Sequence, residues 1–179
     1  MLDVAVSFSC SFNHLLLYCL KNDMGGIDML SERKNIRLPY YDYHTNGMYF
    51  VTVCTKEKEH LFGEVIDGEM HMNAMGKYVA RQLQSIDERY FDVQMICFIV
   101  MPNHIHGIIG LLGNHAPSLG RVVNKFKGLI SHKYGRTIWQ RGYFEHVVRS
   151  ERDFLKIWEY IENNPVNWQL RRQAVRERE

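Results

Sequence analysis

The sequence is short of several things, and each shortage excludes a class. It has only four cysteines, Cys10, Cys19, Cys54 and Cys97, and no CxxC pair among them. A zinc knuckle, a thioredoxin-like redox motif and a disulfide scaffold are therefore not expected. Cys54 and Cys97 sit within apolar, strand-like runs and read as core thiols, which fits a reducing cytoplasm. No apolar run is long enough to span a bilayer; the stretch Leu15–Leu20 is far too short. It also lacks the basic leader that a secretory signal places before its apolar stretch, because the chain opens Met1-Leu2-Asp3. There is no internal repeat, so no solenoid. There is no strong charge of one sign either, the net formal charge being +2.

What is present is the composition of one soluble domain. Of 179 residues, 46% are hydrophobic and 23% charged, enough for a single core and hardly enough for two. We expect a poorly specified N-terminal extension over residues 1–32 and a single domain over 33–179. Charge is unevenly placed. From Arg121 to Arg172 there are eleven basic residues and five acidic ones. A basic third suits a polyanionic partner, although a solvated surface gives the same count.

Periodicity lays out the elements. Met48–Cys54 is β-branched and aromatic, hence a strand. Asp67-Gly68 lies between Val65-Ile66 and Met70–Met72, the signature of a hairpin. Asn73 is placed to cap a helix to about Arg89. Val93–Val100 and His104–Leu112 are strand-like, joined by a Met101-Pro102-Asn103 turn. Ser118–Tyr134 is amphipathic and Gly135 its C-cap. Tyr143–Val148 is a short strand. Ser150–Asp153 looks like a capping box opening a last helix, which Pro165 is expected to end. This order predicts an α+β fold: a mainly antiparallel sheet with helices on one face, ferredoxin-like or RRM-like.

The chemistry centres on His104-Ile105-His106. Residues two apart on a strand face the same side, so both imidazoles can reach one metal ion. With nine histidines in the chain the spacing alone is a common accident. Tyr160 and Asn164, four apart, are expected on one helical face beside the apolar stripe. That places a phenol and an amide at the rim of the sheet, where an amide oxygen can complete a metal site begun by two imidazoles, mixed N/O ligation suited to Mg²⁺ or Mn²⁺.

The segment Val100–Ile109, with Met101-Pro102-Asn103-His104-Ile105-His106 at its heart, resembles the HUH motif of IS200-like, single-tyrosine transposases. Ile138-Trp139-Gln140, Phe144-Glu145-His146 and Tyr160–Val166 resemble their REP-associated branch. The resemblance runs from about Tyr43 to Trp168. It implies that His104, His106 and Asn164 hold a divalent metal, Asn164 standing where many relatives carry glutamine. It implies that Tyr160 is the nucleophile and that His146 supports the site by hydrogen bonding. The expected substrate is single-stranded DNA with hairpins or palindromic repeats, cut and rejoined through a 5′-phosphotyrosine. Lys125, Lys127, Lys133, Arg136, Arg141 and Arg149 are candidates to track its phosphates. A monomer or a homodimer is compatible with this. The competing readings are a domesticated endonuclease acting on host repeats, a non-catalytic DNA-binding module, and a hydrolase that uses activated water.

Overall fold

The computed structural model describes residues 46–177 and a two-residue strand, Ser7–Phe8. The remainder of the expected extension over 1–32 lies outside the described residues. In chain order the elements are β1 (Ser7–Phe8), β2 (Gly47–Cys54), a 3₁₀ turn (Lys56–Lys58), β3 (Gly63–Ile66), β4 (Glu69–Met72), α1 (Ala74–Gln84) and α2 (Ile86–Arg89). There follow β5 (Val93–Met101), β6 (His104–Leu111), α3 (Leu119–Tyr134), β7 (Phe144–Val148), α4 (Glu151–Glu162) and α5 (Asn164–Arg176). The main sheet has the order β1-β5-β6-β2-β7, every neighbour antiparallel, while β3 and β4 form a separate hairpin. This is the expected α+β architecture.

Strand alternation divides the sheet into two buried faces. Tyr49, Val51 and Val53 of β2, with Ile105, Ile109 and Leu111 of β6, point to a core shared with Val79 and Leu83 of α1 and Val122, Phe126 and Ile130 of α3. Met48 and Phe50 of β2, with Ile108 of β6, point the other way and meet Phe154, Ile157 and Ile161 of α4. On β5 the alternation changes parity: Val93 and Met95 face the first core, then Phe98 and Val100 do. A register shift between Met95 and Cys97 explains this, since the extra residue of a bulge moves each later side chain to the other side. The helices expected on one face are α1 and α3. Helix α4 covers the opposite face, because the sheet is apolar on both sides and each must be buried.

Local chemistry fixes the ends of these elements. Asn73 caps α1, its side chain accepting from the Gly76 N–H at 2.9 Å. Gly68 (φ 78°) and Asp67 (φ 49°) make the left-handed β3–β4 turn. Ser150 caps α4 by accepting from the Asp153 N–H at 3.2 Å. The helix expected to continue to about Arg89 stops at Gln84, and Ile86–Arg89 is a separate turn.

One expectation needs correction. Pro165 does not close the helical region. It occupies the first turn of α5, which runs on to Arg176. Proline in a first turn gives up an N–H that has no intrahelical partner anyway, and its fixed φ is already helical, so it starts a helix as readily as it stops one. Asn164 therefore begins α5 instead of continuing the helix that carries Tyr160.

Candidate active site

The α4-covered face of β6 carries His104 and His106. Their rings approach to 4.5 Å between centroids, nearly perpendicular. His106 is buried at 4% exposure and His104 is half-buried. Thr52 is the register partner of His106 on β2, and its Oγ1 lies 2.8 Å from His106 Nδ1. His104 Nδ1 lies 2.8 Å from Asn103 Oδ1. Both Nδ1 atoms are thus engaged, which leaves the Nε2 edges for other work. Burial holds the His104 imidazole down to about 4; the Arg171 and Lys58 cations push the same way and a side-chain hydrogen bond with Asn164 opposes them. Burial, the neighbouring His104 and Arg171 keep His106 well below its ordinary value as well. Two neutral imidazoles are the form that binds a metal.

Helix α4 delivers Tyr160 to this pair. Phe154, Ile157 and Ile161 fix its apolar face, and Tyr160 sits at the rim, 39% exposed. Its hydroxyl is 3.4 Å from His106 Nε2 and its ring 5.1 Å from the imidazole. Phe50 holds the arrangement from below, stacked on His106 at 5.4 Å and edge-on to Tyr160 at 6.1 Å. Asn164 comes from α5 and is buried at 5% exposure, its side chain bonded to His104. The four residues singled out from sequence are brought together, although Tyr160 and Asn164 arrive on two helices that meet at Asn163.

A divalent cation fits this donor set. Two neutral imidazoles have their Nδ1 edges tied to Asn103 and Thr52, and a buried amide lies against the first. Such outer partners are what orient histidine ligands. Among the described residues there is no cluster of three His, Cys, Asp or Glu side chains; a third protein donor beside the imidazoles would be the amide of Asn164.

The remaining candidates sit elsewhere. His146 lies on the same face of β7, but its Nε2 is paired with Asp153 at 2.9 Å, at the start of α4. Lys125, Lys127 and Lys133 are on α3, which packs on the face away from the histidines. Lys127 donates to the carbonyls of Gln140 (2.8 Å) and Gly142 (2.6 Å), and Lys133 lies over Tyr78 at 6.0 Å. Arg136 pairs with Glu59 at 3.8 Å. Arg141 is exposed and Arg149 half-exposed, its N–H donating to Asp153 at 3.2 Å. The cations whose charges act on the histidines are Arg171 and Lys58, which sequence reasoning did not select for the site. Nor did it select Trp168, whose ring lies 5.7 Å from that of His104 and 5.5 Å from that of His60. Recognising α5 would have found Trp168 and Arg171, which follow Asn164 at helical spacing.

No protein-family model matches the chain. The fold is similar to the solved structure of a REP-associated tyrosine transposase bound to a REP hairpin, with a TM-score of 0.58, 21% identity and coverage of 73% of this chain and 74% of that one. A Haemophilus influenzae protein described as a REP-associated tyrosine transposase is 23% identical over 139 residues, 70% of this chain and 73% of that protein. The resemblance to the REP-associated tyrosine transposases is borne out by this fold neighbour and this relative. The chain belongs to one family with an uncharacterized Haemophilus influenzae protein, 33% identical over 165 residues, 78% of this chain and 92% of that relative.

Proposed function

We propose that this protein is a metal-dependent transposase that cuts and rejoins single-stranded DNA through Tyr160. The observation that carries the reading is the Tyr160 hydroxyl standing 3.4 Å from Nε2 of a buried, neutral imidazole pair. A structural tyrosine has no need of that company. A DNA-binding module would have no use for a phenol, two imidazoles and an amide converging on one point.

His104, His106 and Asn164 would hold Mg²⁺ or Mn²⁺, which when bound neutralises charge on a phosphate oxygen and helps orient the phosphodiester. Tyr160 Oη attacks phosphorus in line and the P–O3′ bond breaks. The phenolic proton leaves, and the departing oxygen takes up a proton as a free 3′-OH. The DNA 5′ end stays on the protein as a phosphotyrosine. The phosphoryl bond is conserved, so a second 3′-OH can reverse the step and join strands. Phenols ionise near pH 10 in water, so attack requires loss of that proton. Arg171 and Lys58, whose charges act on the histidines, attract the polyanion.

The substrate we infer is a folded single strand with a hairpin or palindromic repeat. The fold neighbour is bound to a REP hairpin, and this supports a repeat-directed role over mobilisation of its own gene. The test is cleavage of labelled hairpin-flanked oligonucleotides with Mn²⁺ or EDTA. A metal-dependent, heat-stable protein–DNA adduct lost in Tyr160→Phe supports the reading. Cleavage without an adduct that persists in Tyr160→Phe points to activated water instead.

A further inference from the structure

We propose that Asn103 is a positioning residue that fixes the tautomer of His104, and that the turn over Lys56–Lys58 holds Asn103 for that task. The assignment follows from which atoms can donate. The Lys58 carbonyl can only accept, and it lies 3.1 Å from Asn103 Nδ2. This identifies the amide nitrogen of Asn103 and makes its other terminal atom the oxygen. That oxygen, which can only accept, faces His104 Nδ1 at 2.8 Å. Nδ1 must therefore carry the hydrogen. A neutral imidazole has one N–H, so Nε2 is left with its lone pair.

The clamp on Asn103 is closed at its backbone too. The Asn103 carbonyl accepts from the Thr55 N–H at 2.9 Å and shares the single Thr55 hydroxyl hydrogen, at 2.9 Å, with the Glu59 carbonyl at 2.8 Å. Thr55 is fully buried. Between these contacts the chain makes an unfavourable excursion: Glu57 and Lys58 have φ of 54° and 56°, the left-handed region that side chains avoid. Such conformations persist where the surroundings hold them. Here the excursion turns the Lys58 carbonyl toward Asn103. Neither residue is glycine, which would take up the same angles without strain but would leave the turn looser.

The hydrogen on Nδ1 stands on the hydrogen bonds, and burial keeps the ring neutral. That the Nε2 lone pair, on the side of the ring that meets Asn164, serves a metal rests on the proposed function, and the two can fail separately. The experiment is the long-range proton–nitrogen correlation spectrum of the histidines in the isotope-labelled full chain, with EDTA at neutral pH, His104 being assigned through His104→Gln. We expect the Nδ1–H pattern in the wild type, its loss in Asn103→Ala, and its retention in Asn103→Asp, whose carboxylate still accepts from Nδ1. An Nε2–H pattern in the wild type, or no change in Asn103→Ala, overturns the assignment. If Asn103→Ala does not fold, the wild type and Asn103→Asp spectra decide. Mn²⁺ binding followed by electron paramagnetic resonance should weaken about 10–100-fold in Asn103→Ala; an unchanged affinity overturns the positioning role. A wild type that shows the Nδ1–H tautomer and binds no Mn²⁺ supports the assignment and overturns the metal reading instead.

Discussion

Thr52 and His106 stand directly across from each other on β2 and β6, and the Thr52 hydroxyl meets His106 Nδ1 at 2.8 Å. A β-branched residue that suits a strand thereby also fixes the plane of a buried imidazole. Thr52→Val keeps the shape and removes the hydroxyl. We expect it to weaken Mn²⁺ binding about 10–100-fold, with the circular dichroism spectrum unchanged. Calorimetric titration would check this; wild-type affinity in the variant would show that Phe50 stacking alone holds the ring.

Tyr160→Phe should abolish the covalent adduct while leaving the fold intact. Tyr160 is 39% exposed and its ring contacts with Phe50 and His106 survive the change. Among the described residues the hydroxyl meets His106 Nε2, 3.4 Å away. We expect a stability change within about 1 kcal/mol, the usual net worth of one hydrogen bond, read by urea unfolding beside the cleavage gel.

Two glycines should respond to alanine with opposite signs. A Cβ at Gly76 would lie 2.1 Å from the Phe62 carbonyl oxygen, where α1 passes the chain leading into β3. Gly76→Ala should destabilise by roughly 1–3 kcal/mol or more, since backbone must move. At Gly128, in the exposed middle of α3, a Cβ meets nothing within 4 Å. Gly128→Ala should stabilise by about 1 kcal/mol through helix propensity. Melting temperatures of the two variants would test the pair together.

Cys97 gives the pH prediction. It is buried at 1% exposure beneath α4, and burial pushes its thiol up to about 12. The folded state binds this proton more tightly than the unfolded state does. The resulting stability is fully present below the ordinary thiol value of 9.0 and is lost as pH rises toward about 12. Urea unfolding at increasing alkaline pH should therefore fall less steeply in Cys97→Ala than in the wild type. Mass mapping after iodoacetamide treatment of the native protein at neutral pH should find Cys97 unlabelled.

The sequence was most legible where one physical rule acts alone. Period-two alternation placed His104 and His106 on one side of β6, Asp67-Gly68 announced the hairpin, and Asn73 and Ser150 announced their helices. Pro165 misled, because the residue that ends one helix is also suited to begin the next, and only tertiary packing decides. The distribution of cations misled in a related way. Lys127 counts as one more positive charge in sequence, yet its ammonium is bonded to two carbonyls beside β2. Arg171 falls on a helix that periodicity did not reveal. The bulge in β5 was illegible too, since Ile96 and Cys97 are apolar on either parity.

The break at Asn163 separates two adjustable parts. Tyr160 answers to α4 and the apolar face beneath it. Asn164 answers to α5, which is also tethered to the hairpin: the Gln169 side chain accepts from the Gly68 N–H at the β3–β4 tip, and Val166 packs on the same turn. The β3–β4 turn, on a strand pair separate from the main sheet, is therefore a handle on Asn164, and changes in that turn can shift the amide while Tyr160 stays where α4 puts it.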